Sequence, residues 1–241
     1  MRRLGFLDML YLSLDSLKSQ PSLLFPVLAA LVVSSFVFFT VFGTFELSEL
    51  LEENLAQLMV VSVILYLICV CGASIVCGMT KVGIATGNSS VADGLREAEN
   101  HIFSLVVAFI IVGIISGTLL IGGIIVVTQV ILEAGVAAAL LYAFVILLSF
   151  MLGILFLYAL PAIIIDELDS VTAIGLSIGI VLNHLKESLI LAFFALVFLV
   201  ISYFISAYLS GLLHYLFLLI AFSLVVTVLV VTVTVDYVNL K

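Results

Sequence analysis

Few side chains in this chain could do chemistry, so the candidates are quickly placed. Asp166, Glu167 and Asp169 stand together a few residues after Pro161. Carboxylates at this spacing can gather cations at the mouth of a pathway. The simpler reading is that they keep a connection in water while Asp169 or Ser170 caps the helix that follows. Glu46, Glu49 and Glu53 form a comparable acidic face. His101 follows Glu97 by about one helical turn, and His184 precedes Glu187. Either pair would be half a metal site, but zinc takes three or four convergent ligands. Solvated pairs are therefore expected and no metal is assigned. Cys69, Cys71 and Cys77 share one apolar run with no other ligand nearby and read as buried thiols. Asp236 ends the last apolar run and has no partner legible at its depth. There is no aspartate pair within an apolar run, no HExxH, no GxSxG and no phosphate-cradling glycine loop. An enzyme is not expected, and no cofactor.

The elements that hold these residues are apolar to an extent that decides their surroundings. Of 241 residues, 66% are apolar and 9% are charged, against about 25% charged in soluble domains. Six apolar runs occupy approximately residues 22–44, 58–79, 103–127, 136–160, 189–209 and 215–235. Each approaches the roughly 20 residues that a helix needs to cross a bilayer. The expected fold is all-α: a polytopic membrane protein with six transmembrane helices as three hairpins. Pro161 is expected to stop the fourth span.

An amphipathic helix is expected before each hairpin. The first carries the stripe Leu4, Leu7, Tyr11, Leu14 and Leu17, with Asp8 and Asp15 opposite. The second, started by the GNSS sequence at 87–90, carries Val91, Leu95, Ala98 and Ile102. The third carries Val171, Ile174, Ile178, Val181 and Leu185. The segments LKSQPSLL, ENHIFSLV and LNHLKESL begin the three hairpins, which reads as one domain, 1–241, built of repeat-like units 4–81, 90–160 and 169–235. Gly113 with Gly117, and Gly175 with Gly179, have the small-xxx-small spacing of close helix contact. Every Lys and Arg falls on the side of the termini, which places both termini in the cytoplasm and the protein in the cell membrane, by the positive-inside rule. A net charge of −8 argues against nucleic acid.

PSLLFPVLAA at 21–30, PAIIIDELDSVTAIGLSIGIVLNH at 161–184 and the closing YVNLK resemble a family of prokaryotic six-helix membrane proteins. That family includes the membrane domain of some glycerophosphoryl diester phosphodiesterases. The resemblance implies a six-helix membrane module. It carries over no functional residue, because the catalytic barrel has no counterpart here. The family pattern has a Ser-Trp pair and basic residues in the third surface helix, whereas Ser177 is followed by Ile178 and the chain has no tryptophan.

Two functions follow as expectations. The leading one is a non-enzymatic membrane module whose partners are membrane lipids or a membrane protein, with its oligomeric state open. The alternative is a transporter or channel for a weakly polar or lipidic solute, lined by Ser74, Ser116, Thr118 and Ser149.

Overall fold

A computed structural model of the chain describes residues 5–42, 55–115, 144, 147–148, 150–206, 208–209 and 212–240. Among them every regular element is helical. The helices are α1 (Phe6–Ser19), α2 (Leu24–Phe42) after a 3₁₀ turn at Pro21–Leu23, α3 (Leu55–Thr86) and α4 (Val91–Asn100). They continue with α5 (Ile102–Ile115), α6 (Phe150–Asp166), α7 (Ser170–Asn183), α8 (Leu185–Ser206) and α9 (Leu212–Leu240). Four stretches, Pro21–Phe42, Val60–Thr86, Leu185–Ser206 and Leu213–Leu240, are long and apolar enough to cross a membrane. A fifth arises if α4 and α5, bent by 73° at His101, count as one broken span. Much of the third and fourth apolar runs lies outside the described residues, as do Glu46, Glu49, Glu53, Gly117, Ser116, Thr118 and Ser149.

The helix starts follow local chemistry. Gly87, at φ 84°, turns the chain after α3. Ser90 then accepts the Asp93 N–H while the Asp93 carboxylate accepts the Ser90 N–H, a reciprocal capping box. Asp169 caps α7 by accepting from the backbone of Val171 and Thr172. Ser170, the other expected cap, instead donates to the Ser104 carbonyl at 2.8 Å and ties α7 to α5. Each surface helix is parted from the next helix by a non-helical residue: Gln20, His101 or His184.

Pro161 does not end the fourth run. The helical path breaks upstream, at residues 156–158, and Pro161 occupies the first turn of the resumed helix Ala159–Asp166. A proline ring clashes with the carbonyl four residues back in an unbroken helix but fits the first turn. The chain therefore tightens to i→i+3 bonds, Leu157 to Ile154 and Ala159 to Phe156. This frees the Leu155 carbonyl and the Tyr158 N–H. Ser177 of α7 satisfies both, donating its hydroxyl to Leu155 (2.8 Å) and accepting from Tyr158 (3.0 Å).

The expected stripes turn inward only in part: Ala98 and Val181 are buried, while several of their large residues lie outside. Met9 and Ser13 of α1, Gly94 and Ala98 of α4, and Ala173, Ser177 and Val181 of α7 turn inward. Leu7, Tyr11 and Leu14, Leu95 and Ile102, and Val171 and Leu185 are exposed. The cause is close approach. A Cβ on Gly94 would meet the Ile75 carbonyl and Met79, and one on Gly78 would lie 2.9 Å from the Gly94 carbonyl. Gly72 likewise lets α2 approach α3, where a Cβ would lie 2.8 Å from Ala30. These glycines do the work expected of Gly175 and Gly179, where an added Cβ would meet nothing within 4 Å. Gly113 is in ordinary contact with Tyr66, at 3.8 Å.

Candidate functional site

The second half of α6 is the deepest element, with every residue from Ala159 to Ile164 buried. It packs against α3, α7 and α9, and a polar cluster forms where their ends converge. The Tyr158 hydroxyl donates to the Asp236 carboxylate at 2.5 Å, and the Tyr237 hydroxyl donates to Asp166 at 2.5 Å. Both tyrosines are fully buried and Asp236 is 4% exposed. The two rings lie 6.5 Å apart. Asp236, which the sequence left without a partner, thus has one 78 residues away. The pairing is invisible in the sequence because a Tyr in one apolar run and an Asp at the end of another share no local pattern.

Lys81, at the end of α3, is the hub. Its ammonium donates to the Glu97 carboxylate at 2.7 Å and to the Ile164 carbonyl at 2.9 Å, with Glu167 3.7 Å away. It therefore offsets the Glu97 charge on α4 and fills an orphan carbonyl in the last turn of α6, where the helix dipole also favours a cation. Near it the Thr234 hydroxyl lies 3.4 Å from the sulfur of Cys77, which is buried, whereas Cys69 is half-buried and Cys71 exposed. At the same end Gln20 clamps the turn after α3, donating to the Gly87 carbonyl and Asn88 and accepting from Ser89.

The acidic group is dispersed by this arrangement. Asp166 goes to Tyr237, Glu167 to Lys81, and Asp169 to the α7 backbone. The hydroxyl and then the backbone N–H of Thr172 hold the Asp169 carboxyl below the usual range, so it caps α7 as an anion at neutral pH. Glu97 is likewise engaged by Lys81. Among the described residues no group of three or more His, Cys, Asp or Glu is placed to hold a metal ion.

Nor do the described hydroxyls line a path. Ser74 donates to Val70, Thr80 to Val76, Ser202 to Phe198 and Thr232 to Val228, each bonding back along its own helix. The Thr232 and Ser13 hydroxyls also lie 2.9 Å apart, joining α9 to α1. Among the described residues the buried Thr227 hydroxyl has no hydrogen-bond partner.

No protein-family model, curated protein or solved structure matches the chain. Chemically, the cluster joins carboxylates to tyrosine hydroxyls and one ammonium, each placed to satisfy a group on another helix. It is built as a latch at one end of the bundle.

Proposed function

We propose that the protein is a non-enzymatic membrane module that binds lipid or a membrane partner. The observation that carries the reading is the outward face of the surface helices. Leu7 is 74% exposed, Tyr11 70% and Val171 69%, while small residues of the same helices pack inward. Leaving such side chains in water forfeits about 1.5–3 kcal/mol each. A helix lying in the headgroup region recovers that loss by burying its apolar face in the acyl boundary. The latch supports the reading by holding the helix ends together without leaving an open polar channel among the described residues. The positive-inside pattern adds that the termini and the latch face the cytoplasm across a cell membrane. The six-helix arrangement in three repeat-like hairpins, and the resemblance to prokaryotic six-helix membrane modules, fit the same picture.

Native mass spectrometry of protein extracted gently from its own membrane tests the proposal. One lipid class or one protein retained at fixed stoichiometry is the expected result. A bare protein that nonetheless carries a weakly polar solute across liposomes would replace this reading with the transporter.

A further inference from the structure

We infer that a groove beneath α4 takes one acyl chain of a phospholipid whose headgroup ends in an ammonium group. The assignment rests on the lipid-binding reading above and names its ligand and its site. The groove encloses about 420 Å³ in the elbow between α3, α4 and α5. Its floor is Leu67, Val70 and Cys71 of α3, its far wall Leu105 of α5, and its rim Leu95 and Glu99 of α4. Position selects the kind of occupant. The floor lies inside Val60–Thr86, one of the four stretches long and apolar enough to span a bilayer, so hydrocarbon is what surrounds it. The 73° bend at His101 turns α4 aside from α5 and puts the rim at the level where acyl chain gives way to headgroup. Ser74 lines the groove but spends its hydroxyl on Val70, leaving no inward donor for a polar guest.

Charge selects the headgroup. Glu99 is the one charged side chain of the lining and is exposed at the rim. α1, α4 and α7 carry the carboxylates Asp8, Asp15, Asp93, Glu97 and Glu99 against the bases Lys18 and Arg96, and of the five only Glu97 is offset by Lys81 of α3, which leaves this surface acidic. Anionic lipids are drawn to polybasic surfaces, and this surface has the opposite sign. A zwitterionic lipid with a terminal ammonium offers the complementary charge, set against Glu99 while its chain fills the groove.

The test uses the full chain reconstituted in vesicles of phosphatidylethanolamine, phosphatidylglycerol and phosphatidylcholine in equal parts. Lipid retained after extraction is read by native mass spectrometry. The parent should retain phosphatidylethanolamine about tenfold over phosphatidylglycerol, the factor that about 1.4 kcal/mol of charge preference gives. Cys71→Trp, which fills the groove from an exposed position, should abolish that retention. Glu99→Lys, on the exposed rim and so independent of whether the tryptophan variant folds, should move the preference to phosphatidylglycerol. If the parent retains one lipid class indifferently to both substitutions, the groove assignment fails and the lipid-binding reading stands. If the parent retains phosphatidylethanolamine and Glu99→Lys leaves the preference unchanged, the headgroup assignment is overturned. If the parent retains no lipid of any class, both fail.

Discussion

Tyr158 and Asp236 meet in a place where neither could be left alone. A buried carboxylate that loses a hydroxyl donor carries the desolvation cost of the missing bond, about 1–3 kcal/mol, and both Tyr158 and Asp236 are buried. Tyr158→Phe should therefore lower the thermal midpoint in detergent clearly, by that order of free energy. Adding Asp236→Asn should recover part of the loss, because a neutral amide is cheaper to bury than a carboxylate. A loss in the double variant equal to the sum of the two single losses would show that the bond contributes nothing. Lys81 differs from Glu167 in the same terms. Its bonds to Glu97 and Ile164 are short and half-buried, whereas the Glu167 side chain is 67% exposed at 3.7 Å. Exposed pairs of that kind contribute about 0–1 kcal/mol, so Lys81→Met should destabilise the fold far more than Glu167→Gln.

Helix packing turns on glycines that carry no spacing signal. Gly72, Gly78 and Gly94 sit where backbone meets backbone, and only the neighbouring helix reveals it. Gly94→Val should push α4 off α3, lowering the thermal midpoint and exposing Cys77 to thiol reagents. Gly175→Ala and Gly179→Ala meet open space, so they should be neutral or stabilise α7 by up to about 1 kcal/mol, the difference in helix propensity. Loss of stability in either would mean that a second molecule packs there. α9 carries a related lesson. The run VVTVTV at 230–235 has the β-branched composition of a strand. It is helical because a chain in hydrocarbon must satisfy its backbone within itself, and Thr232 and Thr234 add hydroxyl bonds to the carbonyls of Val228 and Val230.

At the scale of the whole molecule, the first and last helices meet at one end. Ser13 bonds Thr232 across 219 residues, and Lys81, Glu97, Asp166 and Tyr237 gather at that end too. The proposed topology of six spans puts both termini on one side, and the positive-inside rule would make that side cytoplasmic. A single cysteine introduced at Lys18 or at Val238, in a chain freed of its own thiols, should react with an impermeant maleimide only in inside-out vesicles. Labelling of the two from opposite faces would remove the topology and, with it, the cytoplasmic placement of the latch.

The sequence alone determined that this is a helical, membrane-compatible chain, where α4 and α7 begin, and where its surface helices lie. Those properties are set by composition and by neighbours within a turn: apolar runs of span length, Ser90 with Asp93, Asp169 with Thr172. Tertiary structure decided which face of each surface helix turns inward, where the helix around Pro161 breaks, and which groups pair in the latch. In an aqueous protein the apolar stripe marks the buried face, because water penalises its exposure. Here close approach at Gly94 and Ser177 set the inward face and left the large side chains outside, the arrangement expected of a chain whose surroundings are as apolar as its core.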